Sequence, residues 1–574
     1  MELKESTNYI EQFFDPNNRS KEQRQNLIKL IDVVTTNYSK KLKRFQDRNS
    51  NIYHVNYKVF HLLYDPYTFI NAYAKISKNK GALTKSVVSD ASTMEFFGQK
   101  DAINIANKFK QNAYISQPVR RTLIPQRRKP GKKRPIDTNT QKDRIVQEAL
   151  RNILECVFEP EFVEFENKTN FRATNFGFRP NKSCFKAVEN FKIKSQTCNY
   201  IIEGDISSAY NSVNHKILIK IIEKRIKDKK FLNFLKQLLK SGIMEQNHYV
   251  HSLTGVPQGG ILSPLLFNIY MFEFDKFIYK IINKYSTTQI AKKSSEYESL
   301  RYKIRKLAKK RPGNYKKEVK KLLKIRLKMP SYDLSTIPKQ LIFVRYADHW
   351  LLGINSTKNE AIQIKRKIRK FLHIFLKLQL DNTKTVISHY QRDGIRFLGY
   401  EIKMWDNKQL KTATILSKNQ GKFIRTNQKT TSRKITIRPE KNRIIRNLYL
   451  KKICDKNGYP VGVRQWSILE EYRIVELYRS IMLGIINYYI KCDNLYALNL
   501  ISYILQYSCA KTLAVRKKMS MLQIFNKYTK NLKIELKIKN KGKVTLRSTQ
   551  FLTFTDLKTL GFITKGQKKI AVME

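Results

Sequence analysis

Residues 199–213 read NYIIEGDISSAYNSV, and residues 341–354 read LIFVRYADHWLLGI. In the first, the apolar run Tyr200, Ile201 and Ile202 leads to Asp205. In the second, two β-rich runs flank a polar tip at Asp348, which is the pattern of a hairpin. If the two strands are neighbours, both carboxylates meet on one edge of a sheet. Hard oxygen ligands of this kind bind Mg2+. Two such metals a few ångströms apart activate an attacking hydroxyl and stabilise a leaving oxygen. Aspartates are also ordinary turn residues, and either stretch alone is weak. Together, with the Pro/Gly-rich turn TGVPQGGILSP at 254–264 between them, they are far more specific.

Outward from this pair, residues 1–60 are polar with scattered helical spacing, and a denser region opens with LLYDPYTFINAYAKISKNKGALT at 62–84. The run RRTLIPQRRKPGKKR at 120–134 predicts a strand, a tight turn and a return strand. Ile145, Ala149, Ile153 and Val157 predict a helix over 137–158. A basic helix is expected over 212–240, an apolar helix from the Pro/Gly turn through Tyr270, and charged helical sequence over 280–330. Past 405 the acidic tips disappear, and 408–448 is basic and Thr-rich. Residues 468–530 are strongly helical, with Ile474, Tyr478, Ile481, Ile485 and Tyr488 on one stripe.

Length and charge bound the function. The chain has 574 residues and is 41% hydrophobic, enough for several cores and three or four domains. Lys and Arg total 112 against 46 Asp and Glu, a net charge of +66 that opposes compaction without a polyanion. Nucleic acid is the leading partner, since neutralising phosphates releases counterions. AT-rich coding inflates lysine but does not account for the shortage of acids. No apolar stretch approaches the roughly 20 residues that span a bilayer, so no membrane partner is expected. The six cysteines form no C-x2-C pair, which gives no zinc signal and fits a reducing compartment. The N-terminal MELKESTNYIEQFF reads as neither a secretory signal nor an Arg-rich transit peptide.

These stretches carry a family resemblance. EGDISSAYNSV (203–213), GVPQGGILSPLLFNIY (255–270), RYADHWLLGI (345–354) and LQLDNTKTVIS (378–388) resemble polymerase motifs A to D, and IRFLGYEI (395–402) resembles the strand pair that follows. GKKRPIDTNTQKDRIVQEALRNILECVFEPEF (131–162) and NFGFRPNKSCFKAV (175–188) resemble the fingers of group II intron reverse transcriptases. Independently, LYRSIMLGIINYYIKCDNL (477–495) and LISYILQYSCAKTLAVRKKMS (500–520) resemble the maturase domain that forms the thumb in those proteins. The resemblance implies an α+β chain: a right-hand polymerase, with fingers and a palm holding a small antiparallel sheet, plus an α-helical maturase thumb. The expected divisions are an N-terminal extension over 1–60, fingers and palm over 61–405, thumb over 406–535 and a short basic tail over 536–574. That tail has no Cys or His, so no endonuclease is expected.

The resemblance also assigns residues. Asp205 and Asp348 match metal ligands, completed by the carbonyl of Ile206, for Mg2+ with Mn2+ as the alternative. Tyr210 matches the ring that screens against a ribose 2′-hydroxyl, although an isolated tyrosine is more often core. Lys132 and Arg134 match fingers cations that hold the incoming triphosphate. Gln258, Gly259 and Gly260 match the loop beneath that nucleotide, where glycine permits close approach. Lys384 matches a lysine that protonates pyrophosphate. Two positions depart from the family: His349 stands where a second Asp is usual, and Asn211 where an Asp is common. Imidazole is a poorer Mg2+ ligand than carboxylate. In the thumb, Arg479, Lys491, Lys511, Arg516, Lys517 and Lys518, with Tyr488 and Tyr489, form the expected RNA surface, while the stripe places Tyr488 in the core. The implied partners are the host intron RNA, a DNA target and primer, and deoxynucleoside triphosphates. The oligomeric state stays open, a dimer being one option. The implied function is splicing support together with RNA-directed DNA synthesis; the alternative is a splicing-only protein whose polymerase site His349 has disabled. The Lys/Asn/Ile-rich composition suits a mitochondrion or chloroplast better than a bacterial cytoplasm.

Overall fold

The computed structural model describes residues 40–77, 97–125, 133–169, 174–245, 248–250, 254–286, 292–309, 316–329, 331–333, 338–406, 412–419, 422–429, 433–540, 543–554 and 556. Its strands in chain order are β1 (Val119–Pro125), β2 (Lys133–Thr138), β3 (Tyr200–Gly204), β4 (Ile243–Glu245) and β5 (His248–Val250). There follow β6 (Leu341–Tyr346), β7 (His349–Ile354), β8 (Val386–His389), β9 (Ile395–Phe397) and β10 (Tyr400–Asp406). The last are β11 (Thr412–Asn419), β12 (Lys422–Lys429), β13 (Arg433–Pro439), β14 (Ile534–Asn540) and β15 (Lys543–Thr549). Helices separate these small sheets, giving the expected α+β class. The chain divides into two compact units.

The first unit comprises residues 1–180, 206–279 and 367–381. Its long helix Gln141–Lys168 is capped by Thr140, whose hydroxyl accepts the Asp143 N–H, and its apolar face is buried from Ile145 to Phe162. An aromatic cluster sits nearby: Phe109 stacks on Phe69 at 5.7 Å and meets Phe234 edge-on at 4.9 Å. The predicted strand and return strand are β1 and β2, paired antiparallel from Arg120↔Thr138 to Pro125↔Lys133. Their turn, with Lys132, lies outside the described residues. The single basic helix expected over 212–240 is instead two, His215–Glu223 and Lys229–Leu239. Asp228 causes the break: its carboxylate accepts the N–H groups of Lys230, Phe231 and Phe60, which favours a new N-terminus over continuation.

The second unit comprises residues 181–205, 280–366 and 382–574. Its central sheet has the order β6-β7-β3-β8, antiparallel throughout. The charged segment forms two helices that pack on each other, Ser295–Lys309 and Lys316–Lys328. The segment after 405 opens with strands. β10 pairs with β13 from Tyr400↔Pro439 to Asp406↔Arg433, so one ladder crosses the expected boundary at 405, and the hairpin β11–β12 lies between those strands in sequence. Helices Glu471–Tyr489 and Ala497–Lys517 then pack together. On the first, the buried stripe is Ile474, Val475, Tyr478, Met482, Ile486 and Tyr489. Tyr488, expected in the core, is 40% exposed, and Tyr489 is 7% exposed. Steps of three and four residues both keep a helical stripe, so the sequence pattern does not choose between them. The packing partner does: the Tyr478 hydroxyl lies 2.8 Å from Ser508 Oγ and 2.9 Å from Thr512 Oγ1 on the facing helix.

Candidate active site

The acidic pair is placed by strand register. In the β3–β7 ladder Gly204 faces Trp350, so the next rung sets Asp205 opposite His349. In the β3–β8 ladder Glu203 faces Val386, and continuing that count brings Asp205 level with Lys384. Residues level across a ladder share a face. Asp205, at the end of the middle strand, is thus flanked by an imidazole and an ammonium. Asp348 is carried by the tight β6–β7 turn, where Tyr346 pairs with His349 and Ala347 takes φ +55°. Such a left-handed alanine costs roughly 1–2 kcal/mol.

Asp205 is buried, Asp348 partly buried and His349 half-exposed. Asp205 Oδ2 accepts from Lys384 Nζ. His349 Nδ1 lies 3.1 Å from Asp205 Oδ1 without the direction of a hydrogen bond, and that buried oxygen has no hydrogen-bond partner among the described residues. His349 Nε2 lies 4.0 Å from Asp348 Oδ1. Burial opposes ionisation of Asp205, but His349 and Lys384 outweigh it and hold the carboxyl below its ordinary range. Burial pushes Asp348 up, with the Asp205 charge in the same direction and His349 against it. Asp205 holds the His349 imidazolium above its ordinary range, against burial. One donor atom from each of Asp205, Asp348 and His349 lies within 4.8 Å of the others. Two carboxylates, one with a buried unpartnered oxygen, fit a divalent cation. Ile206, next along the chain, forms an isolated antiparallel bridge with Leu380.

A second constellation lies in the first unit. Tyr210 is half-buried with its ring stacked on Phe267 at 4.9 Å. Gln258 Nε2 donates to Asn211 Oδ1 at 3.3 Å, and the Val256 N–H donates to the Tyr210 carbonyl at 2.8 Å. Gly259 adopts φ +116°, and a Cβ there would lie 2.7 Å from the Asp137 carbonyl oxygen. Tyr210, Asn211, Gln258 and Gly259 are therefore brought together. Arg134 is exposed on β2. The residue that sequence reasoning missed is Asp137. Its carboxylate accepts from Arg121 Nε and Nη2 at 2.8 and 3.0 Å and from the Gln258 N–H at 2.9 Å, while its own N–H donates to the Gln258 carbonyl at 2.7 Å. Its one sequence signal is an acid three residues after a basic run.

Asp137→Asn is expected to destabilise the protein by about 2 kcal/mol, since a charged two-armed hydrogen bond is lost and Arg121 keeps some solvent. Thermal unfolding would show a lowered midpoint; an unchanged midpoint would remove Asp137 as the joint between β2 and the Gln258 loop.

The six thumb cations are spread more widely. Arg516 donates to the carbonyls of Ser467 and Ile468 at 3.2 and 3.1 Å, and Lys517 pairs with Glu471. Lys511 donates to the Pro460 carbonyl at 2.9 Å, and Lys491 sits 5.8 Å from the Phe185 ring. Lys518 is exposed at the helix end with φ +53°, and Arg479 is half-buried. Among the described residues no helix is long and apolar enough to cross a membrane.

Comparison with known proteins agrees with this arrangement. Residues 124–402 match the reverse transcriptase (RNA-dependent DNA polymerase) family, and residues 431–562 match the type II intron maturase family. The group II intron-encoded protein LtrA of Lactococcus lactis subsp. cremoris is 32% identical over 487 residues, covering 82% of this chain and 77% of that protein. The putative COX1/OXI3 intron 2 protein of Saccharomyces cerevisiae is 29% identical over 506 residues, 86% of this chain and 56% of its own length. Maturase K of Chaetosphaeridium globosum is 28% identical over 397 residues, 64% of this chain and 73% of its own length. With both families matched in one chain, and a relative followed over most of its length, this protein belongs to the group II intron-encoded proteins, as an intron maturase that carries a reverse transcriptase domain.

Proposed function

We propose that this chain synthesises DNA on an RNA template and also binds the RNA of its own intron to promote splicing. The observation that carries the polymerase half is the convergence of Asp205 and Asp348 at the open end of one sheet. Asp205, Asp348 and the Ile206 carbonyl would hold Mg2+, with Mn2+ as the alternative because His349 adds a nitrogen donor. When bound, the metal would activate a primer 3′-hydroxyl and offset charge on the triphosphate of a deoxynucleotide. The chain's own residues do the rest. Lys132 and Arg134 hold the triphosphate, Gln258 and Gly259 support the nucleotide, and the Tyr210 ring excludes a 2′-hydroxyl. Lys384 delivers a proton to pyrophosphate. The cations Arg479, Lys491, Lys511, Arg516, Lys517 and Lys518 contact intron phosphates. A DNA target supplies the primer, and the site of action is a mitochondrion or chloroplast.

His349 lowers this polymerase activity by leaving one negative charge fewer beside the metal. His349→Asp is expected to raise primer extension about tenfold, equivalent to roughly 1.4 kcal/mol of barrier. Extension of a DNA primer on an RNA template reads this directly, beside a splicing assay with the host intron. No rise would shift attention to Asn211. A splicing-only protein has one observation in its favour, that Lys384 and His349 both engage Asp205. It predicts no extension by either the wild type or His349→Asp, with splicing intact.

A further inference from the structure

The sheet β9–β10–β13 has two unlike faces. Ile402 and Met404 of β10 and Ile435 and Ile437 of β13 are buried and supply the packing. The alternate positions, Lys403 and Trp405 on β10 with Thr436 and Arg438 on β13, make the other face. Trp405 lies on that second face and is 39% exposed. Of the three tryptophans, Trp350 is fully buried and Trp466 half-buried.

The indole is held in place. Its Nε1 donates to Thr436 Oγ1 at 2.9 Å. Lys403 Nζ and Arg438 Cζ lie over the ring, 4.8 and 5.1 Å from its centroid. Arg438 is partly exposed, and its Nε is buried without a hydrogen-bond partner among the described residues. Glu401 shares the face, opposite Arg396 and Arg438 in register, so with Lys403 the cations there outnumber the acid. Trp405 lies between the two family matches, which end at 402 and resume at 431.

A fixed aromatic plane flanked by cations is the chemistry that recognises an unpaired base and its phosphates. We infer that Trp405, with Lys403 and Arg438, forms a stacking platform for a single-stranded segment of RNA. The inference rests on the reading of the chain as an RNA-binding maturase, which makes RNA the occupant, and the cations around the ring disfavour an uncharged apolar partner. A duplex has its bases stacked internally and offers the ring nothing, so the platform discriminates strand from duplex. The indole gains from π-overlap, which salt does not screen, whereas Arg438 acts through a phosphate and is salt-sensitive.

The test uses the full chain and three labelled probes of about 12 nucleotides, within the span such platforms read: a polyuridine RNA, the DNA of the same sequence and a blunt RNA duplex. Trp405→Ala should weaken binding of the RNA strand by roughly 5- to 100-fold. Duplex binding should stay within about twofold, and the salt dependence of strand binding should keep its slope. Arg438→Gln should instead flatten that slope by about 0.7. Trp405→Phe should retain most of the affinity, and RNA-induced quenching of tryptophan fluorescence should disappear in it. Equal binding of the RNA strand by wild type and Trp405→Ala would overturn the platform and leave the maturase reading standing. An equal loss on strand and duplex, or a loss confined to the DNA strand, would also overturn it. A wild-type protein that binds no RNA at all would overturn the maturase reading itself.

Discussion

Asp348→Ala is expected to reduce primer extension on an RNA template by about a thousandfold or more, or ~4 kcal/mol of barrier. The reason is geometric. Asp348 stands at the tip of the β6–β7 turn, and its donor atom lies within 4.8 Å of those of Asp205 and His349. Removing it leaves Asp205, already engaged by Lys384, and an imidazole. That set has too little negative charge to hold a hard cation beside a triphosphate. The fold should survive, because the Asp348 side chain is partly exposed at the β6–β7 turn. Intron RNA binding and splicing should also survive, since the cations proposed to contact RNA are elsewhere in the chain. Thermal unfolding, RNA binding and splicing measured beside extension would separate these effects. A folded, RNA-binding Asp348→Ala protein that no longer supports splicing would contradict the separation of roles.

Gly204→Ala should be the most disruptive small substitution, at about 3 kcal/mol. Gly204 faces Trp350 across the β3–β7 ladder, and the fully buried indole lies over the glycine where a Cβ would be. The ring has no open space to enter, so either β3 or β7 must shift. Asp205 follows Gly204 and His349 precedes Trp350, so the same shift separates the atoms proposed to hold the metal. A lowered unfolding midpoint with loss of extension is the expected outcome. Trp350→Leu in the Gly204→Ala background should recover part of the stability, because the two residues are in contact and their effects do not add. Additive losses would show that the collision is not the cause.

How much of this was legible depends on how far apart the cooperating residues lie and on how direct their signals are. The strand ending at Asp205 and the hairpin around Asp348 were readable because a buried strand seldom carries a lone acid anywhere but at its end or its turn. Strand pairing then adds what no local pattern carries, namely that Lys384 and His349 flank the same carboxylate from two different sides. The joint between Asp137 and Gln258 spans 121 residues and is made largely by backbone groups, which have no sequence signature. The stripe on Glu471–Tyr489 was right as helix and wrong by one residue beyond Tyr478, because only the facing helix decides which side is buried. Lys517 reads as a free cation in a basic run, yet its partner Glu471 lies on another helix. The ladder of β10 with β13 was missed because the intervening basic, Thr-rich stretch shows neither alternation nor helical period clearly.

On the proposed function, Asp205 and Asp348 form a working metal site in an intron maturase. Extension of a DNA primer on an RNA template by the wild-type chain and by His349→Asp, with Mg2+ and with the metal chelated, tests it most directly. Template-dependent product is expected from both proteins, more from His349→Asp, and none under chelation. Absence of product from both in the presence of Mg2+, by folded protein that binds RNA, would contradict it.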